Sequence, residues 1–344
     1  MIAPTVARLL EPSVLAPTEA RSTFAELVAP GSTDAERAAI LVALASRRIS
    51  AAELVAFAQE MRRRARPFKV DPRDRPIDLC GSGGAPRPSF NVSTVSAFVV
   101  AASGVPVVKH GNRSARGPCG SSDLLETLGL PVTTSMAFAR ASYRAHRLAF
   151  LHAPLYHPAT LAVGPARRLL GIPTIFNQLG PLSNPARVPF QVVGMPDPEG
   201  AELASAVLPG LGVSRGLSMS SADGCDEFSP RARTTAFVWA NGRRHRREIR
   251  PEGYLAVEDR TGDWGALSPA AAAEETERIL AGGGGARRGS VLLTSGAAIW
   301  VARRAATFRK GIESARSALD DGRAERLLRQ MQRLAHRYRT AGGS

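Results

Sequence analysis

Glycines and small polar residues follow a short apolar segment at residues 77–94, where the sequence reads IDLCGSGGAPRPSFNVST. The glycines of this segment are Gly81, Gly83 and Gly84. They let the backbone turn tightly and present N–H groups to an anion, and a helix that opens near Asn91, Ser93 and Thr94 adds dipole and hydroxyl donors. The pattern indicates phosphate binding but lacks the Gly-Lys-Ser/Thr ending of a P-loop. A plain tight turn would also explain it.

A second polar cluster lies at residues 109–113, which read Lys-His-Gly-Asn-Arg after a predicted strand. Open α/β sheets bind their ligands at the carboxyl edge of the strands. Only three of the 45 basic residues are lysines, and a compact ammonium at Lys109 suits a phosphate or a developing negative charge. Alone, His110 would be a structural histidine. Beside Lys109, Asn112 and Arg113 we interpret it as part of a site.

Carboxylates are concentrated in the segment SADGCDEFSP, residues 221–230, which follows another predicted strand. A Gly-containing turn with Asp223, Asp226 and Glu227 suits Mg²⁺, which keeps several waters and bridges to substrate phosphates. A solvated acidic turn is an equally good explanation of the turn alone. Because the chain is otherwise strongly basic, the concentration of three carboxylates in one turn favours the metal site.

The segment at residues 153–187 is rich in proline, glycine and asparagine, yet it is apolar. Such a composition fits neither one continuous helix nor a disordered linker. It predicts a structured crossover that lines a cleft, with His157 and Arg167 as its polar contacts.

Composition limits the class of protein. The length of 344 residues suits two domains, and a hydrophobic fraction of 44% is ordinary for a globular protein. Three cysteines without a CxxC pair argue against disulfides and structural zinc. No apolar run is long enough to span a bilayer, and the N-terminus does not resemble a secretory signal. The expected compartment is the cytoplasm.

The net charge of +15 attracts phosphates, either in nucleic acid or in a small charged substrate. The basic residues are nearly all arginines, and the chain is also rich in alanine, glycine and proline, which indicates compositional bias. Aromatic residues are not interleaved with them in the way that base stacking requires. A nucleic-acid partner is therefore not expected.

The elements that must position these residues follow from periodicity. Helices are predicted from about residue 18 to residue 66, with starts at Thr33 and Ser50, and residues 70–75 suggest a hinge. Beyond the hinge, strands and helices alternate, which predicts a sheet flanked by helices. Strands are expected at residues 76–80, 105–109, 190–194, 216–220 and 234–239 and around Glu248. Residues 281–290 read as a flexible loop, and the last sixty residues return to helix.

Taken together, the motifs resemble the anthranilate phosphoribosyltransferase family. That family shows GTGGD, FNxST, KHGNR, GSxDLLExLG, TIFNxLGPLxNPAR and DGxDE. This chain has, in the same order, GSGGA, FNVST, KHGNR, GSSDLLETLG, TIFNQLGPLSNPAR and DGCDE. The resemblance covers nearly the whole chain, and its most specific parts are KHGNR and the TIFN segment.

The resemblance implies a small helical domain at residues 1–70, with a contribution from about 160–190. It is hinged to an α/β domain at residues 74–344, like that of nucleoside phosphorylases. It also implies a homodimer and transfer of ribose 5-phosphate from phosphoribosyl pyrophosphate to anthranilate in tryptophan biosynthesis. The implied donor site is Gly81, Gly83, Gly84, Ser89, Asn91, Ser93, Thr94 and Lys109. The implied acceptor site is His110, Asn112, His157, Arg167 and Gly180. The implied Mg²⁺ ligands are Ser93, Asp226 and Glu227, and the implied catalytic residues are Lys109, His110 and Asn112.

The chain departs from the family pattern in three places. Ala85, followed by the unusual Pro86-Arg87-Pro88, stands where the family has aspartate. Residues 116–119 replace a loop that is serine-rich and contains a lysine in the family, and Ser221 stands where a histidine is common. These changes fit a divergent paralogue. Two alternatives therefore stay open: the same transfer to another aromatic acid, or a non-catalytic relative that binds nucleic acid.

Overall fold

The computed structural model describes residues 2–87, 89–114 and 117–339. Its first part is a block of four helices, α1 (Ala3–Leu10), α2 (Pro17–Leu27), α3 (Asp34–Ala45) and α4 (Ala51–Arg63). The predicted helix starts at Thr33 and Ser50 are confirmed. Each hydroxyl accepts a hydrogen bond from the N–H of a glutamate three residues on, and that glutamate accepts one from the backbone N–H of the capping residue. These bonds satisfy N–H groups that the first helical turn leaves without partners.

A seven-stranded sheet lies at the centre of the rest of the chain. Its strands are β1 (Ile77–Gly81), β2 (Val107–Gly111), β3 (Leu148–His152), β4 (Phe190–Gly194), β5 (Arg215–Ser221), β6 (Thr234–Ala240) and β7 (Arg243–Ile249). The spatial order is β3-β2-β1-β4-β5-β6-β7, with β1 to β5 parallel and β6 and β7 antiparallel. The segments that follow the parallel strands therefore meet at one edge of the sheet.

Helices cover both faces of this sheet, so the predicted fold class is confirmed. They are α5 (Val92–Ala102), α6 (Ser121–Thr127), α7 (Met136–His146), α8 (Ala153–Tyr156), α9 (Gly164–Leu170), α10 (Ile175–Leu182), α11 (Pro198–Val207), α12 (Pro269–Leu280), α13 (Ala286–Val301), α14 (Phe308–Asp320) and α15 (Arg323–Arg339). Short 3-10 helices occupy Pro158–Val163, Leu208–Leu211, Pro251–Gly253 and Glu258–Arg260. Within the described ranges, none of the helices has the length and apolar character to cross a membrane.

Two large hydrophobic cores lie on the two faces of the sheet, and a smaller cluster around Phe68 and Tyr156 packs on β2 and β3. One core joins the sheet to α5 and α13–α15. The other joins the four-helix block to α9, α10 and α11 and to the opposite face of the sheet. Its aromatic centre includes Phe24 and Phe176, whose ring centroids lie 6.1 Å apart. Residues near 163–182 therefore pack with the first helices, although more than a hundred residues separate them in the chain.

Two features differ from the sequence predictions. Strand β3 was not predicted, because its five residues follow α7 directly, with Arg147 at φ 54° as the break between them. The predicted loop at residues 281–290 is wrong in its second half, because α13 begins at Ala286. Buried Arg288 fixes that helix through ion pairs with Asp259 and Asp320 at 3.0 and 2.6 Å. The turn before α13 consists of the four glycines at residues 282–285.

Candidate active site

A cavity of about 300 Å³ lies at the carboxyl ends of β1 and β2, between the sheet and the four-helix block. Of the fifteen site residues predicted from the sequence, all except Gly84 line it. The N–H of Gly84 instead donates to Ser82 Oγ at 3.2 Å. The structure thus brings together segments that lie more than 140 residues apart in the chain.

The Gly-rich turn after β1 closes around a carboxylate. Asp226 Oδ2 accepts hydrogen bonds from the Gly83 N–H and from Ser82 Oγ, both at 2.9 Å. Gly83 has φ +65°, and a Cβ at Gly81 would lie 2.8 Å from Asp226 Oδ2. Glycine is therefore required at both positions for different reasons, namely backbone conformation and close approach. The N–H of Gly83, which we expected to face an anion, here donates to the protein's own carboxylate.

Asp226 and Glu227 are both buried at the cavity wall. Burial raises the pKa of Asp226, and burial together with the neighbouring Asp226 charge raises the pKa of Glu227 to about 7. Glu227 Oε1 accepts a hydrogen bond from the Ser93 N–H at 3.1 Å. Two adjacent carboxylates in low dielectric are stabilised by a cation between or beside them.

Lys109 is the buried cation of this half of the cavity, with 3% of its surface exposed. Its Nζ donates to Leu79 O at 2.6 Å and to Ser93 Oγ at 3.2 Å. Because both contacts hold it against β1 and the start of α5, the ammonium lies at the junction of the Gly-rich turn and the acidic turn. Its charge also lowers the pKa of Glu227 against the dominant effect of burial.

The opposite half of the cavity is built from α4, α9, α10 and the segment after β3. The imidazoles of His110 and His157 lie edge to face, with ring centroids 5.0 Å apart. The Arg167 guanidinium lies 5.2 Å from the centre of the Phe176 ring. In the described part of the chain, no carboxylate forms an ion pair with Arg167, and burial lowers its pKa.

Asn112 and Arg113 differ in their availability to a ligand. Asn112 is exposed at the cavity rim, where its Oδ1 accepts from the Arg113 N–H at 2.8 Å. Arg113, which reads in the sequence as a further cation of the site, is bound by Asp123 at 2.6 Å and by Glu126 at 2.5 Å. The two carboxylates of α6 therefore largely neutralise the charge of Arg113.

Several of the described positions that depart from the family pattern lie in or near the half of the cavity that contains Lys109. Ala85 lines it, and Ser221 Oγ donates to the Glu227 carbonyl at 2.7 Å, which fixes the acidic turn. Cys225 Sγ lies 3.6 Å from the Arg87 carbonyl. Of the other altered positions, Pro88 and Arg116 lie outside the described residues.

Several cavity residues were not predicted from the sequence. They include Met61, Ser82, Thr160, Phe176, Asn177 and Ala266. Asn177 and Phe176 belong to the TIFN segment, so that motif could have identified them. Met61 is an ordinary apolar position of a helix by periodicity, and only the packing of α4 against α10 places it here.

Comparisons with known proteins agree over the whole chain. The family models that match are described as the α/β domain of a glycosyl transferase family, at residues 73–325, and the helical bundle domain of that family, at residues 4–65. A relative from Solibacter usitatus, an anthranilate phosphoribosyltransferase, is 36% identical over 93% of this chain and 95% of its own. One from Legionella pneumophila with the same name is 40% identical over 79% of this chain and 78% of its own.

Solved structures give the same result. The crystal structure of anthranilate phosphoribosyltransferase from Thermus thermophilus is similar with a TM-score of 0.86 and 33% identity, over 96% of this chain and 99% of that one. The enzyme from Saccharomyces cerevisiae, in complex with phosphoribosyl pyrophosphate and Mg, shares the fold with a TM-score of 0.84 at 22% identity. That match covers 97% of this chain and 98% of the yeast chain.

Proposed function

The chain belongs to the anthranilate phosphoribosyltransferase family, and we propose that it transfers the 5-phosphoribosyl group from phosphoribosyl pyrophosphate to anthranilate. The products are N-(5-phosphoribosyl)anthranilate and pyrophosphate, and the reaction is a step of tryptophan biosynthesis. The observation that supports this proposal most is that the two halves of one cavity carry different kinds of polar side chain. Carboxylates and a buried lysine form one half, and imidazoles with a guanidinium that has no carboxylate partner among the described residues form the other.

The donor half suits a polyphosphate ester. Lys109 supplies a fixed positive charge, and the turn at Gly81–Gly84 with the start of α5 supplies N–H and hydroxyl donors. We assign phosphoribosyl pyrophosphate to this half, in contact with Gly81, Gly83, Ser89, Asn91, Ser93, Thr94 and Lys109, with Gly84 supporting the turn from behind. As the bond from ribose C1 to pyrophosphate breaks, negative charge grows on the leaving group, and a buried ammonium stabilises it most at that moment.

The carboxylates fit Mg²⁺. The described residues do not gather three or more His, Cys, Asp or Glu side chains into a protein-only metal site. Mg²⁺ characteristically binds one or two carboxylates and completes its shell with waters and phosphate oxygens. Asp226 and Glu227 would hold it, with Ser93 beside them, and bound Mg²⁺ would neutralise the charge of the pyrophosphate. A cation there would also relieve the burial of two adjacent carboxylates.

The acceptor half suits a planar aromatic acid. Arg167 lies over the Phe176 ring and lacks a carboxylate partner among the described residues, so it is free to bind the carboxylate of anthranilate. His110, His157 and Asn112 surround the same space, and Gly180 leaves room there because a Cβ at its position would meet no atom within 4 Å. The aryl amine is neutral at pH 7, so the acceptor binds in its nucleophilic form.

We also propose a cytoplasmic homodimer. The four-helix block and α9 expose large apolar side chains on helices that pack side by side, since α3 contacts both α1 and α9. Leu10, Val42 and Leu169 are 66%, 44% and 78% exposed there. A second copy of the chain, related by a two-fold axis, would bury this face in both protomers. Leu169→Asp should shift the protein to a monomer in sedimentation, and an unchanged mass would contradict this interface.

The test of the function is the loss of anthranilate fluorescence with purified protein, phosphoribosyl pyrophosphate and Mg²⁺, with each component omitted in turn. Turnover that needs all three supports the proposal. Donor binding without turnover would indicate another aromatic acid as acceptor. Absence of donor binding would favour a non-catalytic relative, for which affinity for mixed-sequence DNA should fall steeply with salt.

A further inference from the structure

The proposed transfer must release a proton, and this inference rests on that proposed function. When the amine nitrogen bonds to ribose C1, it becomes a positively charged secondary arylammonium that carries two hydrogens. One of them must leave for the neutral product to form. Pyrophosphate departs on the donor side of the cavity, so a proton acceptor on the other side would act without competing for the leaving group.

His110 has a defined tautomer. Its Nδ1 lies 3.3 Å from the carbonyl oxygen of Gly180, which can only accept a hydrogen bond. The single proton of the neutral imidazole is therefore on Nδ1. The lone pair of Nε2 is then free, and this buried atom has no hydrogen-bond partner among the described residues. An unpaired buried nitrogen is costly unless a ligand completes it.

The surroundings of His110 favour its neutral, basic form. Burial lowers the pKa of His110 well below its usual value, and nearby positive groups add to the effect. The groups that lower its pKa are His157 after β3, Lys109 on β2 and Arg62 on α4, and the contact with the Gly180 carbonyl opposes them. Asp78 on β1 is the nearby carboxylate. Asp78 Oδ1 accepts the His110 backbone N–H at 3.1 Å, which fixes the residue.

The other polar side chains of this half are less suitable. Arg167 cannot accept a proton at any working pH. His157 is also neutral, since burial lowers its pKa to about 4. However, the carbonyls of Ser183 and Met61 lie near its ring without a well-formed hydrogen bond, so no contact fixes which of its nitrogens is basic. For His110, in contrast, the contact between Nδ1 and the Gly180 carbonyl identifies Nε2 as the basic nitrogen.

We propose that His110 Nε2 accepts the proton of the aryl amine as the N–C bond forms. The amine lone pair forms the bond to ribose C1, and the C1–O bond breaks with its electron pair leaving on pyrophosphate. One N–H proton passes to Nε2, and the imidazolium later returns it to water. The reaction needs no further reactant. A positively charged arylammonium is a stronger acid than an imidazolium, so even a weakened imidazole takes this proton.

The decisive variant is His110→Asn, whose amide can still donate to the Gly180 carbonyl but has no basic nitrogen. Single-turnover measurement of the chemical step should show a loss of about 10²- to 10⁴-fold, the range of general base catalysis. Anthranilate affinity, measured by fluorescence of the bound acceptor, should fall by only about two- to tenfold, the cost of one hydrogen bond from the amine to Nε2, so the chemical step is measured at saturating anthranilate. His245→Asn, an exposed histidine on β7, is the matched control and should leave both quantities unchanged.

A second variant separates proton transfer from support of the fold. His110→Ala should regain turnover when imidazole is added, with a rate that follows the concentration of the neutral base. A chemical step in His110→Asn within about threefold of the unaltered chain would overturn the inference, because general base catalysis contributes far more. A loss confined to acceptor affinity would also overturn it. If the unaltered chain does not turn over anthranilate, the proposed function fails first, and this result is distinct from failure of the variant test.

Discussion

The two halves of the cavity differ in how far their polar groups are already satisfied. In the donor half, Asp226 is bound by Gly83 and Ser82, Glu227 by Ser93, and Lys109 by Leu79. In the acceptor half, Nε2 of His110 and both ring nitrogens of His157 are buried without hydrogen-bond partners among the described residues, and Arg167 lacks a carboxylate partner among the same residues. A donor molecule must therefore exchange existing protein contacts for its own, whereas the acceptor fills contacts that are open.

This difference has an energetic meaning. Exchange of one hydrogen bond for another contributes little net free energy, while a ligand that completes an unpaired buried group recovers about 1–3 kcal/mol. We expect donor affinity to depend on charge and metal, and acceptor affinity to depend on a few buried polar atoms. Variants in the two halves should accordingly have separable effects on turnover and on the two Michaelis constants.

The largest effect is expected from Asp226→Ala with Glu227→Ala. Loss of both carboxylates removes the proposed metal ligands and the contact that closes the Gly-rich turn, so Mg²⁺-dependent turnover should fall by at least about 10³-fold. The measurement is anthranilate fluorescence at saturating substrates over a Mg²⁺ titration. Asp223→Asn, in the same turn but bonded to Ser229 and outside the cavity wall, is the control. Undiminished activity would remove the metal assignment.

A smaller effect is expected from Lys109→Met, which keeps the apolar stem and deletes the charge. Without the ammonium, the leaving pyrophosphate loses a buried cation, and kcat should fall by about 10²-fold, as for loss of one preorganised donor. The Michaelis constant for anthranilate should stay nearly unchanged. Exposed Lys69→Met serves as the control. A rise in the Michaelis constant for anthranilate with kcat unchanged would contradict the assignment of Lys109 to the donor half.

Arg167→Ala addresses the acceptor half. Removal of a charge-assisted hydrogen bond worth about 1.5–3 kcal/mol should raise the Michaelis constant for anthranilate by roughly ten- to a hundredfold. Donor affinity, measured by calorimetry with phosphoribosyl pyrophosphate and Mg²⁺, should hardly change. The neighbouring, exposed Arg168→Ala is the control. An unchanged anthranilate constant would exclude Arg167 from the acceptor site.

The smallest effect concerns stability. The unfolded chain protonates His157 near its usual pKa of about 6.5, but the folded chain does so only near about 4. Between these values the unfolded state binds more protons, so the free energy of unfolding falls as pH drops, by at most about 3 kcal/mol from this residue. Urea unfolding at about pH 7 and about pH 5 should show a smaller difference for His157→Asn than for the unaltered chain. Exposed His336→Asn should keep the full difference.

The sequence predicted local features better than those that depend on distant contacts. The helix starts at Thr33 and Ser50 were visible because both partners of each capping box lie within four residues. The polar residues that follow β1, β2 and β5 were visible because parallel strands bring their carboxyl ends to one edge. Strand β3 was missed because no turn residue marks its start after Arg147.

What the sequence could not give was the state of each polar group. Arg113 and Lys109 belong to the same motif, yet Arg113 is bound by two carboxylates of α6, whereas Lys109 at the cavity wall forms no ion pair with the carboxylates of the described residues. Likewise, Gly84 matches the motif, but its N–H donates to Ser82 and it is not among the residues that line the cavity. These outcomes depend on packing between α6, β1 and the acidic turn, which spacing along the chain does not encode.

The outer strand β7 has a consequence for behaviour at high concentration. An open strand edge offers unpaired N–H and C=O groups to any other chain, and a run of like charges is one way to prevent such pairing. Residues 243–247 read Arg-Arg-His-Arg-Arg and are all exposed. Two such edges repel each other, so the four arginines of this strand contribute to colloidal stability. Serine substitutions there would leave the cavity intact but invite fibrous association.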